Sequence, residues 1–334
     1  MYHLELERVV KEIQKRNARQ ILLQLPDGMR PFAYQIVKAI TLSTGSHVFL
    51  SGDSCYGSCD LALTQAKELD ADLLIHYGHS DMIKEYKVPV LFVHAEIDID
   101  TIAMIDAAES EIKKWERIGI VTTIQHVHQI NDIQLELEDR GFIPFTITKG
   151  EKTPFPGQIL GCYYMGAEDI ADQVDGFLYI GGGRFHPIGL IMSTGKPVVI
   201  ADPFSAKIST LSEQDLMLIA KKRMASIEAT KQVKNLGILV SSKPGQKDFE
   251  AALKLEKKFR KKNVTAVIIY LNEVRADHLN NFSEPEAFIN TACPRLSIDG
   301  VEGVNRPILT VNEALVVLGE KKWEDLWGKG YFRT

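Results

Sequence analysis

Long apolar runs are missing from this chain of 334 residues. No segment approaches the roughly 20 consecutive apolar residues that a membrane-spanning helix needs. Residues 1–17 alternate charged and apolar side chains and lack the apolar centre of a signal peptide. Cysteine is also scarce, because four residues are too few for the disulfide framework of a small secreted protein. We therefore expect a cytoplasmic protein with no membrane partner and with reduced thiols.

An excess of positive charge is absent as well. The 39 Lys and Arg residues are balanced by 44 Asp and Glu residues, for a formal charge of −5. Such a chain lacks the cationic field that a nucleic-acid backbone requires, so we expect no nucleic-acid partner. The 45% hydrophobic and 25% charged content is typical of globular proteins. The length exceeds what one compact core usually holds, which predicts two or three domains.

Short apolar runs alternate with helical patterns along the whole chain, which predicts an α/β fold with parallel sheets. The order of elements repeats three times, so we expect three similar domains, each a small parallel sheet flanked by helices. The predicted domains are 1–107, 108–225 and 226–334, with charged helical linkers within 98–116 and 205–235. The predicted strands are 20–25, 47–51, 73–77, 90–93, 118–123, 142–148, 177–180, 198–201, 236–241, 266–271, 287–291 and 308–311.

Each predicted domain has one cysteine beyond the carboxyl end of a strand: Cys59, Cys162 and Cys293. Separations of 103 and 131 residues exclude a local zinc knuckle. If the three domains face a common axis, three thiolates can meet there and hold a 4Fe–4S cluster with one iron left open. A single free cysteine is more often a small buried apolar residue. Because three cysteines occupy equivalent edges, we interpret these three as cluster ligands. We interpret Cys55 as a small buried structural residue.

Other polar residues follow strands at the same predicted edges, where ligands of parallel sheets bind. Asp27 either caps the following helix or meets a substrate amine. The run Gly181–Gly183 allows the backbone to approach an anionic group closely. Arg184 and Arg295 each offer a planar guanidinium that can bind a carboxylate through two hydrogen bonds. The candidate cofactor-binding residues are Asp27, Gly28, Gly181, Gly182, Gly183, Arg184, His186 and Arg295. Five histidines are candidate metal ligands, although no pair has the i, i+4 spacing of a helical zinc site: His76, His79, His126, His128 and His186.

The segment Gly52-Asp53-Ser54-Cys55-Tyr56-Gly57-Ser58-Cys59-Asp60, preceded by Leu25-Pro26-Asp27-Gly28, resembles the archaeal diphthamide synthase family. Gly161-Cys162 and Ala292-Cys293-Pro294-Arg295 fall where the family's second and third cluster cysteines are expected. The run Gly181–Pro187 also fits, and the resemblance covers essentially the whole chain. Enzymes of this family are 2-(3-amino-3-carboxypropyl)histidine synthases, which catalyse the first step of diphthamide formation.

The resemblance implies a homodimer of three-domain chains arranged around a central 4Fe–4S cluster, held by Cys59, Cys162 and Cys293. It implies S-adenosylmethionine as co-substrate, an electron donor, and a histidine of translation elongation factor 2 as acceptor. Cleavage at the methionine-side Cγ would give an aminocarboxypropyl radical, which adds to imidazole C2, and methylthioadenosine. Cys55 departs from the family motif, and we assign the iron to Cys59 because it holds the Tyr-Gly-x-Cys-Asp position.

Two alternatives remain at this point. A quinolinate-synthase-like enzyme also has a triplicated α/β fold and three distant cysteines on one cluster, which acts there as a Lewis acid in dehydration and condensation. A non-catalytic subunit would pass electrons or dock the elongation factor. Retention of all three cysteines argues against the second alternative, and release of methylthioadenosine would exclude the first.

Overall fold

The computed structural model describes residues 2–83 and 86–333, which form three separate sheets flanked by helices. The predicted α/β class is confirmed. All twelve predicted strands coincide with observed strands to within two residues at either end. A further strand in the second sheet is antiparallel and lies at its edge.

The first sheet is parallel and has four strands in the order β2-β1-β3-β4. Its central strands read as continuous apolar runs because helices cover both faces. The strands are β1 (Gln20–Gln24), β2 (His47–Leu50), β3 (Leu73–Tyr77) and β4 (Val90–Val93), and the helices are α1 (Leu6–Arg16), α2 (Ala33–Thr44) and α3 (Leu63–Glu68).

The second sheet has five strands in the order β6-β5-β7-β8-β9, of which only β9 runs antiparallel to its neighbour. Its two faces are covered by two separate apolar clusters. The strands are β5 (Arg117–Thr122), β6 (Ile143–Thr146), β7 (Gly176–Ile180), β8 (Val198–Asp202) and β9 (Lys207–Thr210), and the helices are α4 (Thr101–Ile112), α5 (Ile130–Asp139), α6 (Met165–Ile170) and α7 (Phe185–Thr194).

The third sheet repeats the order of the first, with β11-β10-β12-β13 all parallel. The strands are β10 (Asn235–Ser241), β11 (Thr265–Leu271), β12 (Ala287–Asn290) and β13 (Ile308–Thr310), and the helices are α8 (Glu213–Thr230), α9 (Phe249–Arg260), α10 (Ala276–Leu279), α11 (Arg295–Asp299) and α12 (Val311–Leu318). None of the helices in the described ranges is long and apolar enough to cross a membrane.

Buried polar contacts fasten the third unit to the rest of the chain. The predicted boundaries at 107 and 225 fall inside α4 and α8, so each of these helices connects two sheets. Arg223 of α8 forms a buried ion pair with Glu313 of α12, with 2.6 Å between Nη2 and Oε2. The C-terminal segment binds the second unit, because the Gly328 and Gly330 amides donate to the carbonyls of Met192 and Ser193. The contacts of the C-terminal segment fix the third unit relative to the second.

Candidate functional site

The three cysteines expected at the sheet edges line the same space in the folded chain. A cavity of about 270 Å³ is lined by Cys59, Cys162 and Cys293, and a neighbouring cavity of about 230 Å³ is lined by the same three residues. Cys59 follows β2, Cys162 follows β6 and Cys293 follows β12, so each sheet contributes one thiol from beyond the carboxyl end of a strand. The carboxyl edges of all three sheets therefore meet at this point.

Close packing between the first and third units positions Cys59. The turn Pro244–Gln246 after β10 lies against the turn Ser58–Asp60. A Cβ on Gly245 would come within 2.6 Å of the Cys59 Cα atom, so this position accommodates only glycine. The Gln246 side-chain amide donates a hydrogen bond to the Cys59 Sγ atom at 3.2 Å. Sequence reasoning missed both residues, although a Pro-Gly pair after a central strand marks a sharp turn at the edge where ligands bind.

An ion-paired lysine strengthens the same junction. Lys243 Nζ lies 2.5 Å from the Asp60 carboxylate and 2.7 Å from the Glu273 carboxylate, and its side chain is almost fully buried. The ammonium also lies 5.0 Å from the centroid of the Tyr56 ring, within range of a cation–π interaction. Because Asp60 directly follows Cys59, this network holds the cysteine against the third unit. No motif in the sequence points to Lys243.

The environment of the thiols raises their pKa. Burial, the largest cause, raises the pKa of Cys59 to about 11 and that of Cys162 to about 12, and it also raises the pKa of Cys293. The charges of Cys293 and Cys59 raise the pKa of Cys162 further, which reflects the proximity of the three side chains. Without a metal centre the thiols are therefore protonated at neutral pH. Metal coordination would remove these protons, since a thiol ligand binds as its thiolate.

Arg295 lines the smaller cavity and has one unpaired nitrogen. Its Nε and Nη2 atoms donate to the two oxygens of Asp299, and its guanidinium lies over the Phe185 ring at 4.0 Å from the centroid. The remaining nitrogen, Nη1, is buried and has no hydrogen-bond partner among the described residues. Buried guanidinium donors are normally satisfied, so an unpaired one in a residue that lines a cavity indicates a place for an anionic group nearby.

Gln158 lines the same cavity and has an unpaired hydrogen-bond acceptor, whereas Arg295 has an unpaired donor. A backbone bridge to Thr122 holds it at the carboxyl end of β5, and its Nε2 atom donates to the Ser80 hydroxyl at 2.6 Å. Its Oε1 atom is buried and accepts no hydrogen bond from any residue that the structure describes. Two residues that line this cavity thus each have one unpaired buried atom, a cationic donor in Arg295 and a neutral acceptor in Gln158. That combination suits the carboxylate and ammonium of an amino-acid group.

His186 also lines the smaller cavity, whereas the glycine run next to it does not. The His186 ring stacks on Tyr179, and burial followed by the charge of Arg295 lowers its pKa to about 4. Gly181 lies against the Tyr179 side chain, where a Cβ on Gly181 would come within 2.5 Å of the hydroxyl oxygen. Arg184 is about half exposed and forms an ion pair with Asp215 at 2.7 Å.

Asp27 and Gly28 lie outside the set of residues that line the two cavities. Both are exposed at the start of the short helix Asp27–Phe32. The Asp27 carboxylate pairs with Arg30 at 3.1 Å, and Arg30 also donates to the Asp53 carbonyl in the loop that leads to Cys59. In this structure Asp27 therefore helps to hold the cysteine loop.

Cys55 is separate from the other three cysteines. It is buried and does not line either cavity. Burial, the largest cause, raises the pKa of its thiol to about 12. Cys55 is therefore not a fourth cavity cysteine.

The fold and the cavity define a class: an α/β protein of three sheets that together enclose a pocket walled by one cysteine from each. A family model for diphthamide synthesis proteins matches residues 25–328. The 2-(3-amino-3-carboxypropyl)histidine synthase of Pyrococcus horikoshii is 33% identical over 333 residues, which are 98% of this chain and 95% of that protein. Subunit 1 of the Schizosaccharomyces pombe enzyme is 29% identical and is matched over 77% of its length by the whole of this chain. The chain belongs to the diphthamide synthesis protein family.

Solved structures agree with this membership. The crystal structure of Dph2 from Pyrococcus horikoshii superposes with a TM-score of 0.89 at 33% identity, covering 96% of this chain and 93% of that one. The structure of the same protein with a 4Fe–4S cluster gives a TM-score of 0.88 at 32% identity and covers 99% and 96% of the two chains. The resemblance expected from the cysteine motifs is confirmed.

Proposed function

We propose that this protein is a 2-(3-amino-3-carboxypropyl)histidine synthase of the radical S-adenosylmethionine type. In this proposal it transfers the 3-amino-3-carboxypropyl group of S-adenosylmethionine to imidazole C2 of a histidine in translation elongation factor 2, and methylthioadenosine is released. The observation that carries the proposal is the pocket in which three cysteines from three sheets lie beside the unpaired Arg295 Nη1 atom.

The donor set fits a 4Fe–4S cluster held by Cys59, Cys162 and Cys293. Three partly buried thiols with no disulfide partner border one space, and the glycine at 245 lets a neighbouring backbone approach Cys59. A cluster with three thiolate ligands keeps one iron open and supplies one-electron reduction of a bound sulfonium. The Gln246 amide would then donate to a cluster sulfur, and hydrogen bonds of that kind influence the potential of a cluster.

Imidazole chemistry supports the radical type of reaction. Carbon 2 lies between two nitrogen atoms and is a poor nucleophile, so polar alkylation would modify a nitrogen instead. Attack by a carbon-centred radical does not depend on that nucleophilicity. The protein's own task is therefore to bind the co-substrate with the methionine-side Cγ facing the open iron and to exclude water.

Arg295 and Gln158 are suited to fix that orientation. We assign the carboxylate of the methionine moiety to the free Nη1 of Arg295 and its ammonium to the free Oε1 of Gln158. His186 is uncharged at neutral pH and adds no repulsion toward the sulfonium. The expected binding roles of Arg184, Asp27, Gly28 and Gly181–Gly183 stay predictions, because these residues do not line the pocket.

The test is product formation by protein purified without oxygen and supplied with dithionite, S-adenosylmethionine and archaeal elongation factor 2. We expect methylthioadenosine in solution and, by mass spectrometry, one added 3-amino-3-carboxypropyl group on a histidine of the factor. Release of 5′-deoxyadenosine and methionine would mean that a different bond breaks. An unmodified factor beside a reducible cluster would favour the quinolinate-synthase-like alternative.

A matched pair of arginine variants tests the pocket itself. Arg295→Lys retains a positive charge but lacks the planar fork, so S-adenosylmethionine should bind about 1.5–3 kcal/mol more weakly while the iron content is unchanged. Arg275→Lys is the control, because Arg275 also pairs with a nearby aspartate, Asp277, but lies away from the pocket. Equal affinities of both variants and the wild type, measured by equilibrium dialysis, would remove Arg295 from the proposal.

A further inference from the structure

A second cluster of potential metal ligands lies beside the cysteine pocket. Sγ of Cys55 and ring nitrogens of His76 and His79 lie within 4.8 Å of one another. Cys55 and His76 are buried, and His79 is partly buried and lines the smaller cavity. None of the three belongs to the proposed cluster ligands. Cysteine and imidazole together form the donor set that zinc prefers in proteins.

Hydrogen bonds already fix His76 in the form that a metal ligand requires. Its Nδ1 atom lies 2.9 Å from the Gln24 Oε1 atom, which can only accept, so Nδ1 carries the proton and Nε2 has a free lone pair. Gln24 is held in turn, because its Nε2 atom donates to the Asp60 carbonyl at 2.7 Å. A hydrogen bond from the far ring nitrogen to an oxygen is the usual support of a metal-bound histidine.

The spacing of the nitrogens is close to that of a shared ion. His76 Nε2 lies 3.0 Å from His79 Nδ1. Two nitrogen ligands about 2.0–2.1 Å from a tetrahedral zinc ion lie roughly 3.3 Å apart, so the two nitrogens need a shift of only a few tenths of an ångström. The Cys55 Sγ atom lies within 4.8 Å of a ring nitrogen of each histidine and would move toward the ion. The polypeptide constrains both residues, since His76 belongs to β3 and His79 follows it by three residues.

The surrounding charge favours a cation. Asp60 and Glu273 share the single ammonium of Lys243, which leaves one negative charge in excess around Lys243. Asp60 acts on Cys55 directly, because its charge contributes to the raised thiol pKa. A zinc ion bound by one thiolate and two neutral imidazoles has a net charge of +1, which would balance that excess.

We propose that Cys55, His76 and His79 bind a zinc ion that is separate from the proposed iron–sulfur cluster. Binding breaks the S–H bond of Cys55 and releases one proton, while the proton on His79 Nδ1 moves to Nε2 of the same ring. The fourth position takes a water molecule, as in other three-ligand zinc sites. The ion would fasten the loop that carries Cys59 to the end of β3.

The test is metal analysis of the full chain after anaerobic purification and incubation with one equivalent of zinc sulfate. We expect one zinc per wild-type chain after desalting. The zinc X-ray absorption fine structure should show one sulfur at about 2.3 Å and two nitrogens at about 2.0–2.1 Å, with the rest oxygen. Wild-type protein without zinc, or zinc bound by three sulfur atoms, would overturn the proposal.

Variants separate this site from the cysteine pocket. Cys55→Ala and His79→Gln should each lose the zinc and keep the iron, whereas Cys162→Ala should lose the iron and keep the zinc. His79→Gln serves as the second variant in case Cys55→Ala fails to fold, and thermal unfolding followed by circular dichroism identifies that case. Zinc retained by both variants and lost from Cys162→Ala would place the metal among the pocket cysteines and refute the proposal. The readout is zinc, so it does not depend on the proposed enzymatic function.

Discussion

Gly245→Ala is the smallest change that should loosen the pocket. The new Cβ would lie 2.6 Å from the Cys59 Cα, 2.8 Å from its Cβ and 3.2 Å from its carbonyl oxygen. Carbon atoms in ordinary contact are about 3.5–4.0 Å apart, and no side-chain rotation relieves a clash with these atoms. The turn Pro244–Gln246 must therefore move away from Cys59 by roughly 1 Å. Overpacking of this kind typically costs about 1–3 kcal/mol.

The overpacking in Gly245→Ala displaces Cys59 from the third unit. Since Cys59 is a proposed iron ligand, we expect the variant to bind iron more weakly. Since 1.4 kcal/mol corresponds to a factor of ten, we expect iron to be removed from Gly245→Ala by a chelator about ten- to a hundredfold more readily than from wild type. The assay is anaerobic competition with a ferrous chelator, followed by absorbance. Gly52→Ala is the control, because a Cβ at Gly52 meets nothing within 4 Å. Equal iron retention by Gly245→Ala and wild type would refute the reasoning.

Four further outcomes are expected. Glu313→Gln leaves the Arg223 charge buried and unpaired, so the free energy of unfolding should fall by roughly 3–5 kcal/mol in urea titrations, and an unchanged midpoint would contradict this. Folding raises the thiol pKa from 9.0 to about 11 in Cys59 and about 12 in Cys162. The protonated thiols therefore stabilise the cluster-free folded protein fully below pH 9, and this stabilisation is lost as the pH rises through about 11 and 12. Urea unfolding at pH 8 and pH 10.5 should show the loss, and Cys162→Ala should reduce it. Anaerobically prepared protein should contain about four irons per chain and bleach in air, whereas colour that survives air would argue against an open iron. Light scattering at micromolar concentration should give the mass of a homodimer, and a monomer would exclude it.

The sheets could be predicted from sequence because their central strands are buried on both faces. Leu73–Tyr77 and Gly176–Ile180 are buried along their whole length, and such strands read as unbroken apolar runs between turn residues. The strand Lys207–Thr210 was missed because it is a largely exposed edge strand without an apolar run. The helix Leu6–Arg16 was missed although Val9 and Ile13 form its buried stripe, since the flanking charges obscure the spacing.

Part of the candidate site could be predicted for a topological reason. Residues beyond the carboxyl ends of parallel strands collect at one edge, which is why the positions of Cys59, Cys162 and Cys293 in sequence were informative. Gln158 and Gln246 could not be found in this way. An amide side chain follows no pattern in the sequence. Gln158 matters because its Oε1 atom is unpaired, and Gln246 because its Nε2 atom donates to Cys59, and both facts depend on how the chain packs. The assignment of the three cysteines to a cluster stays a prediction.

The division of the pocket among three sheets also has a consequence for the timing of its assembly during protein synthesis. Cys162 follows Cys59 by 103 residues, and Cys293 follows Cys162 by 131 residues. At about 5–20 residues per second, the last thiol leaves the ribosome roughly 7–26 s after the second. During that interval the nascent chain has only the two pocket walls from the first and second sheets, so the pocket is not yet enclosed. If the pocket holds the proposed cluster, iron delivered before the third sheet has folded would meet an open surface, and only the finished chain would enclose it.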